Sequence, residues 1–182
     1  MCHLCQTKPV YEFTNKRKVC SRCFINWFEK KFLYTIRKFQ MIKHNNTIAY
    51  ENKNDFKGVV LENLLKMFAE KSNIELIRFP TKKKSNKVAV PGTTDSEANK
   101  IIHAIIKNKT TKLNEFLPVF KKTIKLLYLF LDKEILLYAK LKKLKFKTKK
   151  QKHDKISKFL DNSEKKHPEI KRAIVSSILR LN

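Results

Sequence analysis

The run TIAYENKNDFKGVVLENLLKMFAEKSNIELIRF, from Thr47 to Phe79, decides the fold. Its first four residues, Thr47–Tyr50, read as a short β-strand. From Val59 to Lys71 apolar side chains recur at helical spacing, through Val60, Leu64, Leu65 and Phe68. Ile74–Phe79 is a second strand, stopped by Pro80. Strand, helix and strand in that order make the unit from which parallel sheets are built.

The pattern continues towards the C-terminus. Thr81–Lys87 is a polar, basic loop, and Lys87–Val90 is a third strand ended by Pro91-Gly92. Thr94-Asp95-Ser96-Glu97 fits a capping box at the start of a helix that carries Ile101, Ile102, Ile105 and Ile106. Ile124–Phe130 is apolar enough for a buried strand, and Asp132 fits the cap of a helix over Lys133–Leu144. Lys145–Lys155 reads as a charged linker. Two helices follow, Asp154–Lys166 and Glu169–Leu181, with Pro168 in the first turn of the second. No internal repeat is visible. The expectation is an α/β fold with a parallel sheet and helices on its faces.

Towards the N-terminus, Phe24–Ile42 is an amphipathic helix, with Ile25, Phe28, Phe32, Ile36 and Phe39 on one stripe and Lys30, Lys31, Arg37 and Lys38 between them. All four cysteines precede it, as Cys2-x-x-Cys5 and Cys20-x-x-Cys23. Paired cysteines at this spacing aim their sulfurs at one ion, so the site reads as structural zinc with four thiolates and no open position. Two disulfides or a redox pair are the alternatives. The insert Gln6–Val19 suits a short ribbon through Val10, Tyr11 and Phe13, and His3 reads as a bystander.

The 182 residues hold 42 Lys and Arg against 16 Asp and Glu, a formal charge of +26, with 42% hydrophobic residues. That apolar share excludes full disorder. Only six of the basic residues are Arg, and Gly numbers two, the profile of an A+T-rich genome, so part of the charge reflects codon drift. The field still draws polyanions, and RNA or DNA is the expected contact. Candidate phosphate contacts are Lys30, Lys31, Arg37 and Lys38 on the helix and Lys149 and Lys150 in the basic stretch beyond residue 142. No run suits a membrane span and the start of the chain carries no apolar signal core, so a cytoplasmic protein without a membrane partner is expected.

Several motifs, taken in order, resemble one family. Cys2-His3-Leu4-Cys5 with Lys8-Pro9-Val10, Cys20-Ser21-Arg22-Cys23-Phe24 and Phe28-x-x-Lys31-Phe32 match its N-terminal knuckle and helix. Pro91-Gly92-Thr93-Thr94-Asp95-Ser96-Glu97-Ala98 is similar to its GHNLDDEA segment, Lys133-Glu134-Ile135 with Tyr138 to its KEV…Y helix, and Asp161–Leu181 to its C-terminal helices. These resemble the tRNA 2-thiolation proteins of the PP-loop superfamily, whose core is an adenine-nucleotide α-hydrolase-like sheet. Catalytic members carry an SGGKDS loop after the first core strand. Here the same register gives Lys53-Asn54-Asp55-Phe56-Lys57-Gly58, without the two loop glycines and with Phe56 in place of the loop lysine. With only Gly58 and Gly92 in the chain, no glycine-rich phosphate nest can be built. No cysteine follows Cys23, so the core cysteines of catalytic members and their second, C-terminal knuckle are missing too.

The resemblance is therefore to the cytoplasmic tRNA 2-thiolation protein 2 family, the non-catalytic and degenerate branch, in a shortened form. It implies a knuckle over 1–23, a basic helix over 24–42, a degenerate PP-loop-like core over 43–146, and a linker with a helical hairpin over 147–182. It further implies Zn2+ without an ATP site, no catalytic residues, and a heterodimer with a catalytic paralogue that thiolates wobble uridine. Its partners would be that paralogue, tRNA and a ubiquitin-related sulfur carrier. Asp95 and Glu97 are the acidic pair in a family-like position, and helix capping is the plainer account of them. A zinc-containing basic nucleic-acid-binding module unrelated to thiolation and a diverged active tRNA sulfurtransferase are the competing functions.

Overall fold

A computed structural model of the chain describes residues 1–80, 82–148 and 154–181. The N-terminal ribbon pairs β1 (Tyr11–Glu12) with β2 (Lys18–Val19), antiparallel. Helix α1 runs over Ser21–Lys38 and buries Phe24, Phe28, Phe32 and Ile36 along the expected stripe, while Ile25 and Phe39 are half-buried. It starts inside the second cysteine pair, with Cys20 at its N-cap.

The core elements are β3 (Thr47–Tyr50), α2 (Phe56–Ala69), β4 (Glu75–Arg78), β5 (Lys87–Ala89), α3 (Thr94–Ile106), a 3₁₀ turn (Thr110–Phe116), β6 (Val119–Phe120), β7 (Thr123–Ile124) and α4 (Asp132–Leu141). Helices α5 (Lys155–Lys166) and α6 (Ile170–Arg180) follow. The sheet order is β4-β3-β5-β7-β6. Strands β4, β3, β5 and β7 are parallel, and β6 closes the edge antiparallel to β7. The chain passes from β3 to β4 on one side and then crosses to β5 on the other. The carboxyl ends of β3 and β5 therefore flank a topological switch point, the usual place for a site in such sheets.

Two apolar clusters hold the helices. The larger joins Cys2, Val19 and Cys20 to Phe24, Phe28 and Phe32 of α1, to Leu61, Leu64 and Leu65 of α2, and to Ile135 and Tyr138 of α4. Phe28 lies at its centre, with its ring centroid 4.3 Å from those of both Phe130 and Tyr138. The smaller joins Ala98 and Ile101 of α3 to Leu160 of α5 and Val175 and Ile178 of α6. No helix among the described residues is long and apolar enough to cross a membrane.

Four local readings are corrected. The apolar run Ile124–Phe130 is not a strand beyond Ile124. The chain leaves the sheet and turns twice, Tyr128 N–H donating to Lys125 O and Phe130 N–H to Leu127 O, with Leu126, Leu127, Tyr128 and Phe130 all buried. A short apolar run carries burial but not period, so turns and strand look alike in it. The α3 capping box sits one residue earlier than expected: Thr93 Oγ1 accepts from Ser96 N–H, and Ser96 Oγ accepts from Thr93 N–H. Asp132 is the first residue of α4 rather than its cap, and Glu134 reaches back to accept from Leu131 N–H at 3.0 Å. Pro168 lies in the turn before α6, whose N-cap is Glu169.

Candidate functional site

The cysteine centre is the first site. The ribbon brings Cys2 and Cys5 onto the start of α1, where Cys20 and Cys23 stand one helical turn apart. All four Sγ atoms lie within 4.8 Å of one another. Cys5 Sγ is 3.4 Å from Cys20 Sγ and 3.7 Å from Cys23 Sγ. A metal–sulfur bond of about 2.3 Å puts tetrahedral sulfurs about 3.8 Å apart, so the donor set fits one ion. Leu4 N–H points at Cys2 Sγ at 3.4 Å, a backbone donor to a thiolate. Cys2 and Cys20 are buried while Cys5 is exposed. His3 stays outside the sulfur cluster; its Nδ1 accepts from Lys18 N–H at 3.3 Å.

The second site is the switch point. The segment from Glu51 to Asp55 leaves β3 and turns directly into α2. Asp55 is the N-cap of that helix, and its Oδ1 accepts from Gly58 N–H at 2.8 Å. An anion-binding helix N-terminus offers that same N–H to a phosphate oxygen. Asn52 Oδ1 accepts from Asn54 N–H at 2.7 Å, and Lys147 N–H donates to Asn54 O at 2.7 Å, which ties the segment down on both sides. A Cβ at Gly58 would meet Asn52 Oδ1 at 3.0 Å and Asp55 Oδ1 at 3.2 Å, so the glycine serves the closeness of the segment's own polar atoms. Phe56, in the place of a phosphate-binding lysine, packs its ring 6.3 Å from Phe146.

Beside it lies a cavity of about 500 Å³, at the amino-terminal ends of α2, α3 and α4 and against α5 and α6. Four of the chain's 16 acidic residues line it, Asp95, Asp132, Asp161 and Glu164, with Lys57, Lys133 and Lys171. Each cation is already paired. Lys57 Nζ is 2.7 Å from Asp132, Lys133 Nζ is 3.1 Å from Glu164, and Lys171 Nζ is 2.6 Å from Asp95, 2.7 Å from Asp161 and 2.8 Å from Glu164. Burial and the nearby Asp132 push Asp95 above the ordinary carboxylate range. Burial acts against the charge of Lys171, yet Asp161, Asp95 and Glu164 together raise its ammonium above the usual value. Asp95 also accepts from Asp132 N–H at 2.7 Å, so it bridges α4 and α6 and does more than cap α3. Glu97 is fully buried against Lys125, 2.6 Å away, and also pairs with Lys100.

The candidate phosphate contacts separate. Lys30, Arg37 and Lys38 are exposed on α1, with Tyr34 exposed among them and its ring 5.7 Å from Lys38 Nζ. Tyr34 was missed in sequence because a half-exposed tyrosine on a helix reads as packing. Lys31 points inward instead, 3.3 Å from the buried Glu134 and over the rings of Trp27 and Phe130 at 4.7 and 4.6 Å. Burial lowers its ammonium even beside that carboxylate. Lys149 and Lys150 lie outside the described residues. Of the histidines, His103 Nε2 is 2.5 Å from Asp154, and His167 is the C-cap of α5.

A solved structure matches this architecture: the U34-tRNA thiolase NcsA from Methanococcus maripaludis with its [4Fe-4S] cluster, at a TM-score of 0.80 and 18% identity, over 99% of this chain and 86% of that one. This chain shares the fold of that thiolase. No protein-family model matches the sequence, and no curated protein matches it. The fold, the mostly parallel sheet and the N-terminal cysteine cluster stand as the sequence led one to expect.

Proposed function

We propose that this chain is a non-catalytic subunit of a cytosolic tRNA wobble-uridine 2-thiolation complex, of the kind found in the tRNA 2-thiolation protein 2 family. The likeness in fold to a U34-tRNA thiolase supports the reaction it serves. One observation carries its non-catalytic role: the Asp55 carboxylate fills the α2 N-terminus, on the Gly58 N–H that an ATP phosphate would use. A second negative charge there meets repulsion instead of a nest. The adjoining cavity gives no help, because Lys57 and Lys171 already face carboxylates.

The subunit would support a catalytic paralogue, with which it forms a heterodimer, and would hold tRNA for it. Sulfur would reach that paralogue from a ubiquitin-related carrier. Lys30 and Lys38, beside the exposed ring of Tyr34, supply backbone contacts and a face on which a base can stack. The four thiolates hold a structural zinc. A four-iron cluster spreads its cysteines over separate irons, whereas these sulfurs crowd around one point. The zinc would fix the ribbon on α1, and no step of chemistry passes through it.

Deletion of the gene should remove 2-thiouridine from wobble positions, read by nucleoside mass spectrometry of purified tRNA. The isolated chain should give no heat with ATP and magnesium in titration calorimetry. Unchanged thiolation on deletion overturns the reading, and ATP turnover with sulfur transfer by the isolated chain replaces it with an enzyme.

A further inference from the structure

A groove of about 580 Å³ runs between the last turns of α1, the chain that follows it, and the end of α2. Its floor is aliphatic and aromatic: Leu33, Ile36, Ile42 and Phe68. Ile36 is nearly closed off, and the other three are half-buried. Arg37 and Lys43 stand exposed at its rim. No carboxylate lines it, and neither rim cation has an ion pair among the described residues.

We infer that this groove docks an acidic, aliphatic segment of a protein partner, with apolar side chains on Leu33, Ile36, Ile42 and Phe68 and carboxylates on Arg37 and Lys43. An apolar floor inside a charged rim is the anatomy of a protein-binding surface. The sign of the rim selects the partner. A second copy brings +26 against +26 and presents the same two cations. RNA would use Arg37 and Lys43, but its backbone gains nothing from a floor of Leu and Ile, and the exposed ring suited to stacking, Tyr34, does not line the groove. Arg37 borders the Lys30, Tyr34 and Lys38 surface offered to tRNA, whereas Lys43 lies beyond the end of α1.

The inference rests on the proposed function only for the existence of a protein partner. Its test is zero-length carbodiimide coupling of the complex purified from native cells, followed by peptide mass spectrometry, because the reagent joins Lys43 Nζ directly to a carboxylate it touches. The expected product links Lys43 to an Asp or Glu that has aliphatic residues within one helical turn. Arg37→Glu with Lys43→Glu should weaken the complex about tenfold and be rescued by Glu→Lys at the coupled position, and Lys43→Glu alone should weaken the complex while leaving tRNA affinity within about twofold. Both side chains are exposed, so an unchanged melting curve checks the fold. Coupling of Lys43 to another copy, coupling of other lysines but not Lys43, unchanged affinity on charge reversal, an equal loss of tRNA affinity in Lys43→Glu, or recovery without a protein partner each overturns it. Wobble 2-thiouridine levels are read separately. Loss of thiolation without Lys43 coupling refutes the groove alone, and coupling without loss of thiolation refutes the function alone.

Discussion

Replacing Glu134 by Ala should be among the most damaging single changes in the chain. Its carboxylate is fully buried and accepts from four sources: Arg172 at 2.8 Å, Leu131 N–H at 3.0 Å, Tyr11 Oη at 3.2 Å and Lys31 Nζ at 3.3 Å. Those partners come from the ribbon, α1, the start of α4 itself and α6. Breaking a buried pair by removing one member costs about 3–5 kcal/mol, since the other charge stays desolvated. Two facts lower the figure. Arg172 keeps Glu169 at 3.0 Å, and the side chains of Lys31 and Arg172 retain 18% and 27% of their exposure. The expected loss is therefore about 2–4 kcal/mol, or roughly 4–16 °C in Tm for a chain of this size. Lys31→Met removes the stranded ammonium and keeps the stem's contact with Trp27 and Phe130, so the double variant should lose less than the sum of the single changes by about 1–2 kcal/mol. Urea denaturation of the four proteins measures it. A Glu134→Ala protein within about 0.5 kcal/mol of wild type, or strict additivity with Lys31→Met, would refute the claim that this carboxylate ties the ribbon and α6 to the core.

Three further outcomes are expected. Elemental analysis should find one zinc per chain, and chelation or Cys20→Ser should lower Tm and loosen Tyr11 and Val19 in hydrogen exchange, because the cysteines share the main cluster with α1; metal-free protein with an unchanged melt would contradict this. Lys16 and Lys121 sit at positive φ, 62° and 53°, where a Cβ is strained, so Lys16→Gly and Lys121→Gly should each raise stability by about 0.3–1 kcal/mol net of the glycine's extra entropy in the unfolded chain; a loss at both would contradict it. Acid should destabilise the protein. Asp154 is lowered by the Ser157 backbone and His103, and Glu62 and Glu164 are lowered by their lysines despite burial. A depressed carboxylate contributes stability above its unfolded pKa of about 4 and loses it as pH falls through the folded value. Asp95, raised by burial and Asp132, works in the opposite sense and softens the fall. Melting curves from pH 7 down to pH 3 should drop most below about pH 4.5, and a flat profile would contradict the assignment.

The legible part of the fold lay where sequence spacing and tertiary role coincide. Thr47–Tyr50, Lys87–Val90 and the Phe28–Phe32–Ile36 stripe could be read because period and burial agree there. The cysteine centre was equally plain, since two close pairs admit few arrangements. Ile124–Phe130 misled because its burial arises from turns packed under helices. Lys31 misled for a related reason: a lysine on a basic helix looks solvated until its partner, Glu134, is known, and that partner lies 103 residues away. The cavity was illegible for the same cause. Its acids come from α3, α4 and α5, and only the folded chain brings them around Lys171.

That distribution of charge bears on how the chain would meet a polyanion. The excess of +26 is carried outward by lysines, while much of the smaller acidic complement is drawn inward, to Glu97, Glu134 and the carboxylates of the switch-point cavity. A polyanion is attracted to the surface as a whole. At the carboxyl end of β3 it meets the Asp55 carboxylate on Gly58 N–H and four acids whose nearby lysines are committed. Codon drift towards lysine can raise the outer charge without touching this arrangement, because the inner acids are fixed by individual partners. Equipping the segment for a phosphate would therefore take more than adding glycines: Asn52 holds Asn54 N–H, Phe56 packs on Phe146, and Asp55→Gly alone should free the helix N-terminus without creating ATP affinity, since Lys57 would still be held by Asp132 at 2.7 Å. Calorimetry of Asp55→Gly beside Asp55→Gly with Asp132→Asn decides the point. Heat with ATP in the single variant would place the whole block on Asp55, and heat in the double variant alone would divide it between Asp55 and the Lys57–Asp132 pair.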